Sequence, residues 1–200
     1  MLQSRRSKEV CLNEPLAKLT ASRRWGQQSY PLAAVAALIR RQAAGEPAYL
    51  LIRRIHIPYA GQWALVGGKW EFGESLAEAV TREVREETGV RGTFVALRGC
   101  VNERIFPQTP EDLGAHFLIF VCEVQLSRAE ARQQSEGQVA WFTERQLDEL
   151  QRCQEIAPTD YHILQQYLQD SQEVSYIEAE IVSSGAGMLA GDVRRFRLTR

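Results

Sequence analysis

Residues 67–90 read GGKWEFGESLAEAVTREVREETGV, and within them Glu83, Glu86 and Glu87 stand at i, i+3 and i+4. On a helix that spacing brings three carboxylates to one face, about 5–6 Å apart at Cβ, where like charges destabilise the helix. The helix itself is well specified. Ser75 followed by Glu78 forms a capping box, which predicts a start at Leu76. Gly89 supplies the stop, because the residue just past a helix end often needs positive φ. Leu76, Ala77, Val80 and Val84 fall within roughly 100° of arc and form one apolar stripe. Any fold of this chain has to cover that stripe and offset the crowded charge beside it.

Two kinds of partner could offset it. A hard divalent cation, Mg2+ or Mn2+, prefers oxygen ligands and suits a carboxylate cluster. The plainer reading is an exposed helix with local ion pairs, in which Arg82 bridges Glu78 and Glu86 at little gain in stability.

The wider pattern favours the cation. Gly68, five residues, Glu74, seven residues, Arg82-Glu83-Val84, one residue, Glu86-Glu87, one residue, then Gly89-Val90 resembles the Nudix box at every specified position. Chance agreement at seven fixed and two apolar positions is below about one in a million for ordinary residue frequencies. The resemblance implies an α/β fold, a Nudix-like α/β/α sandwich with a mixed sheet. It implies a Mg2+- or Mn2+-dependent hydrolase that cleaves the pyrophosphate of a nucleoside diphosphate linked to another group. Glu83, Glu86 and Glu87 would then bind metal, with Glu83 also orienting or deprotonating the attacking water. Arg82 would orient the glutamates, Glu74 would brace the loop, and Gly67, Gly68 and Gly89 would supply the backbone turns. Many members carry proline where this chain has Val66.

The chemistry agrees with that set of residues. A diphosphate is already anionic, so hydroxide approaches only when cations neutralise its oxygens and lower the pKa of bound water. Catalysis is then largely positioning and electrostatics. Trp70 and Phe72 are candidates to stack on base or ribose, although aromatic residues beside a loop more often anchor packing. Arg53 is a further candidate substrate contact. By its place before a late strand, Glu136 resembles a glutamate that completes the metal site or acts as general base in several relatives; Glu103, Glu111 and Asp112 compete for that role. Pro107 stands near a proline that accompanies ADP-ribose specificity in some members, about two residues late.

Around the box, residues 1–29 read as an N-terminal extension, 30–170 as the hydrolase domain and 171–200 as a C-terminal hairpin built from VSYIEAEIV and VRRFRL. Pro31–Arg40 and Tyr49–Ile55 predict two strands paired as an antiparallel hairpin across Gly45. Thr93–Val101 predicts a strand and Asn102–Gly114 a long loop. His116–Val124 and VAWF are further strands. Thr143 with Gln146 caps a helix over Glu144–Arg152, and Pro158 opens another carrying Tyr161, Leu164, Tyr167 and Leu168. His116 reads as a satisfied structural histidine.

A net charge of −1 argues against a general binder of nucleic acid or anionic membrane, and no apolar run approaches the roughly 18 residues of a span. Cys11, Cys100, Cys122 and Cys153 lack metal spacing and read as free thiols in a reducing compartment. The expected location is the cytoplasm, since the first residues hold no apolar signal core. The resemblance also implies a small nucleotide substrate and a homodimer, with the C-terminal hairpin as candidate contact. A Nudix-fold sensing or regulatory module without hydrolysis is the alternative, and an intact box speaks against it.

Overall fold

The computed structural model describes residues 30–43, 45–56, 59–107, 114–127, 137–167, 174–183 and 191–199. Among the described residues nine strands run β1 (Leu32–Leu38), β2 (Arg40–Ala43), β3 (Glu46–Arg54), β4 (Trp63–Lys69), β5 (Gly92–Phe106), β6 (Ala115–Leu126), β7 (Gly137–Thr143), β8 (Ser175–Ser183) and β9 (Gly191–Thr199). The helices among the described residues are α1 (Leu76–Thr88), α2 (Glu144–Arg152) and α3 (Pro158–Tyr167). The strands join in one mixed sheet, ordered β2-β3-β4-β1-β6-β5-β8-β9, with β7 on the other edge of β3.

Alternation along each strand feeds two apolar layers. Val35, Ala37 and Ile39 share one layer with Leu50, Ile52 and Val66, and α1 closes it with Ala79, Val80 and Val84. Ala36, Leu38, Leu51 and Leu65 face the other way, under Leu147 of α2 and Ile163 and Leu164 of α3. The result is a sheet between helices. Val66 is fully buried in the α1 layer.

The run LAAVAALI does not hairpin with Tyr49–Ile55 as expected. Its first part, β1, lies antiparallel to β4 and parallel to β6. Only β2, beyond Ile39, turns back on β3, with Arg40 opposite Tyr49 and Ala43 opposite Glu46. A strand with both faces covered has no polar side to fix its pairing, so its apolar run is silent about which neighbours it takes.

The expected Asn102–Gly114 loop is also shorter, because β5 continues to Phe106. Asn102 and Arg104 alternate with buried Val101, Glu103 and Ile105, so polar residues here belong to a strand with one wet face. The C-terminal hairpin is present: β8 adds in parallel to β5, and β9 pairs back on β8. Arg98 closes on Glu123 of β6, and Glu180 of β8 meets Arg104 and Arg195 at 3.0 and 3.6 Å. Among the described residues no helix is long and apolar enough to cross a membrane, and Cys100, Cys122 and Cys153 are free thiols.

Glu103 is 3% exposed and accepts from Thr159 Oγ1 at 2.5 Å. Burial pushes its carboxyl up to about 7, with the charge of Asp160 adding to the rise, and burial likewise pushes Asp160 up to about 6. Both groups hold a proton more tightly folded than unfolded. Their contribution to stability is therefore complete below the ordinary carboxylate range and is lost as pH rises through about 6 and about 7. Glu103→Gln, which keeps an acceptor for Thr159, should melt above the wild type at pH 8, with the gap shrinking toward pH 5. Each carboxyl contributes a slope of at most about 1.4 kcal/mol per pH unit, and thermal scans at the two pH values read the difference at about 2–4 °C per kcal/mol.

Candidate active site

Helix α1 starts as its sequence predicts. Ser75 Oγ accepts from Glu78 N, and the Glu78 carboxylate accepts from Ser75 N at 2.8 Å. It ends at Gly89, which sits at φ 67 and donates its N–H to Arg85 O at 2.9 Å. The buried stripe is turned slightly from the predicted one: Ala79, Val80 and Val84 are fully buried, while Leu76 and Ala77 are half-buried. The same rotation draws Glu83 and Glu87 inward, each 8% exposed.

Arg82 holds this edge together. Its Nε and Nη2 donate to the two oxygens of Glu74 at 2.6 and 3.0 Å, and its Nη1 donates to Glu83 at 2.7 Å and Glu86 at 3.1 Å. Nη2 also reaches Lys69 O at 3.0 Å. The sequence-based alternative had Arg82 between Glu78 and Glu86; Glu78 is instead committed to the cap. The bonds to Arg82 hold the Glu74 carboxyl below the usual range, and the bond to Glu74, followed by those to Glu83 and Glu86, makes the Arg82 guanidinium still harder to deprotonate.

The loop before the helix presses against these carboxylates. Gly67 N donates to Glu87 Oε2 at 2.9 Å. A Cβ on Gly68 would stand 2.7 Å from the Glu83 carboxyl, so only glycine lets the backbone pass so close. Trp70 turns back as a packing anchor, with Nε1 on Glu74 O at 2.9 Å and its ring edge-on to Phe120 at 5.1 Å between centroids. Phe72 is fully exposed. Arg53 Nε donates to Gly61 O at 2.9 Å at the surface.

The structure thus brings together Gly67, Gly68, Glu74, Arg82, Glu83, Glu86 and Glu87. Glu111, Asp112 and Glu136 lie outside the described residues. Glu103 does not stand in a loop; it is sealed in the sheet with Thr159. His116 is satisfied by Asn102 Oδ1 at 2.6 Å. Among the described residues no three His, Cys, Asp or Glu side chains converge closely enough to hold an ion as they stand, because Glu83 and Glu86 close on Arg82 and Glu87 on the loop amide. In chemistry the donor set fits a hard divalent cation: carboxylates only, crowded on one helix edge, two of them drawn out of water. Tyr59, Thr159 and Asp160, to which the sequence reading gave no role at a site, gather at Glu103; the first two are buried and Asp160 is half-buried. No motif marks them, and only their meeting with Glu103 makes them visible.

Several known proteins are similar to this chain. A nucleoside triphosphatase, NudI, from Enterobacter sp. (strain 638) is 34% identical over 98 residues, 46% of this chain and 69% of that protein. An ADP-ribose pyrophosphatase from Methanocaldococcus jannaschii is 36% identical over 77 residues, and the matched segment spans 43% of it. Among solved structures, the MutT protein from Methanosarcina mazei Go1 superposes with a TM-score of 0.56 at 27% identity, covering 73% of this chain and 99% of that one. A mutator MutT protein from Bacillus halodurans shares the fold with a TM-score of 0.60 at 23% identity, covering 84% and 97%. Over residues 30–167 the chain matches the NUDIX domain, and it belongs to that family of hydrolases.

Proposed function

We propose that the protein is a Mg2+- or Mn2+-dependent pyrophosphohydrolase that cleaves the diphosphate of a nucleoside diphosphate derivative and releases a nucleoside monophosphate. The observation that carries this is the clasp of Arg82 on Glu74, Glu83 and Glu86, beside a loop amide held by Glu87. Glu83, Glu86 and Glu87 would hold the cation, which would supply the charge that neutralises the diphosphate oxygens and lowers the pKa of a water. Glu83, fixed by Arg82, orients that water and takes its proton; Glu136 is the second candidate for the base. The water oxygen bonds to one phosphorus, the bridging P–O bond breaks, and the leaving phosphate keeps its electron pair. Gly67 and Gly68 let the backbone approach the phosphates. Trp70, Phe72 and Arg53 are the proposed substrate contacts, with Trp70 the most constrained of them by its packing on Phe120.

Two substrate branches fit. Pro107, directly after β5, leans the reading to ADP-ribose, and the relative named as an ADP-ribose pyrophosphatase supports it; the relative named as a nucleoside triphosphatase supports the other. Residues 30–170 form the hydrolase domain in this reading, 1–29 and 171–200 extend it, and the protein works in the cytoplasm as a homodimer through the β8–β9 edge. Sedimentation of the purified protein decides the dimer.

The deciding experiment incubates the protein with Mg2+ or Mn2+ and ADP-ribose, dinucleoside polyphosphates, NADH, dNTPs or oxidised dNTPs, with products resolved by chromatography. Turnover should vanish with a chelator. Glu86→Gln and Glu87→Gln should each lower kcat at least tenfold, and because glutamine at 87 still accepts from Gly67 N–H, that loss isolates the charge. Residual turnover within about threefold of wild type in both variants would sink the metal role. Gly68→Ala pushes a methyl group into the Glu83 carboxyl and should cost about 10–100-fold in kcat with an unchanged far-ultraviolet spectrum.

A further inference from the structure

Strand β4 changes partners midway. Trp63–Leu65 pair with β3, and Val66–Lys69 pair with β1. Three alternate amides of this strand are held by groups outside the two neighbouring strands. Trp63 N donates to Glu155 O at 2.7 Å, in the segment between α2 and α3. Leu65 N donates to Asp160 Oδ1 at 2.7 Å, and Gly67 N donates to Glu87 Oε2 at 2.9 Å.

The chain explains why a side chain is needed at the middle position. Residues Glu155–Ala157 run beside Trp63 as a short parallel bridge, with Ala157 N on Trp63 O at 2.8 Å. Immediately afterwards α3 begins, and a helix turns its carbonyls onto its own amides. A buried amide at Leu65 still requires an acceptor, and the Asp160 carboxyl supplies it from the first turn of α3.

Asp160 is in turn held from behind. Its neighbour Thr159 is fully buried and donates to Glu103 Oε1 of β5 at 2.5 Å. Tyr59 keeps a left-handed backbone at φ 63, and its buried hydroxyl lies beside Glu103. Arg54 of β3 is the cation whose field reaches both Glu103 and Asp160. None of these residues belongs to the box, yet they end on the amide two residues before Gly67.

We propose that Asp160 is a positioning residue for the Gly67–Gly68 loop: through the Leu65 amide it sets the path of β4, so that Gly67 meets Glu87 and Gly68 meets Glu83. The inference rests on the reading of that loop and helix as the active site. Glu103 and Thr159 act one step further back, by fixing where α3 starts. The two faces of the sheet are thereby coupled, α3 on one side to the glutamates of α1 on the other.

The test compares Asp160→Ala, Asp160→Asn and Glu86→Gln in the full chain, using the best substrate of the panel and amide hydrogen exchange in the absence of substrate. Asp160→Ala should lower kcat about 10–100-fold with KM within about threefold, and should speed exchange at Gly67 as well as at Leu65. Asp160→Asn, which keeps an acceptor oxygen for Leu65, should restore kcat to within about threefold of wild type and the slow exchange at Gly67. If Asp160→Ala does not fold, Asp160→Ser, polar but too short to reach Leu65, takes its place with the same expectations. A rise in KM at unchanged kcat would overturn the inference and make Asp160 a substrate contact, and so would faster exchange confined to Leu65. Should Glu86→Gln also leave turnover intact, the active-site reading itself fails; loss in Glu86→Gln with none in the Asp160 variant defeats only the positioning role.

Discussion

Three carboxylates within one turn and a half of α1 repel one another, and the folded chain has to keep them together. Arg82 is the residue that does so, because a guanidinium offers five donors in a rigid fork and cannot lose its charge. It spends two donors on Glu74, one nitrogen on Glu83 and Glu86, and one contact on Lys69 O. A lysine at this position would be a point charge without the fork. The loop, the helix and the last residue of β4 are all tied to that single group.

The clasp works only because the backbone comes close. Gly67 and Gly68 lie between β1 and the glutamates, where a Cβ on the first would overlap Val35 O and on the second the Glu83 carboxyl. Val66 and the rest of the α1 layer press the helix onto the sheet from one side. From the other, α2 and α3 cover the second layer, and the segment joining them is paired to β4 at Trp63. Strand β4 therefore meets both apolar layers, and it leads directly into the Gly67–Gly68 loop.

Burial divides the acidic residues into two populations. Glu74 and Glu78 remain at or near the surface, where the bonds from Arg82 and from Ser75 favour their charged form. Glu103 and Asp160 are enclosed between the sheet and α3, where the low dielectric favours the proton. The same chemical group thus serves as a standing charge in one place and keeps its proton to a higher pH in the other. Nothing in the residue itself distinguishes them; the depth of the site does.

The sequence by itself determined what is local. Ser75, Glu78 and Gly89 bound α1 because caps are satisfied within a few residues, and the 3.6-residue period placed Glu83, Glu86 and Glu87 on one edge whatever lay beyond. Thr143 with Gln146, the alternation of β6 and the C-terminal hairpin were legible for the same reason. Tertiary structure decided what depends on distant partners. It gave LAAVAALI other neighbours than Tyr49–Ile55, leaving only β2 beyond it to pair with β3, carried β5 five residues past its expected end to bury Glu103, and moved Arg82 from Glu78 to Glu74. It also joined Asp160 to Leu65 across 95 positions, a contact that no local pattern encodes, because it exists only once the packed sheet leaves a buried amide that the strand pairing cannot satisfy.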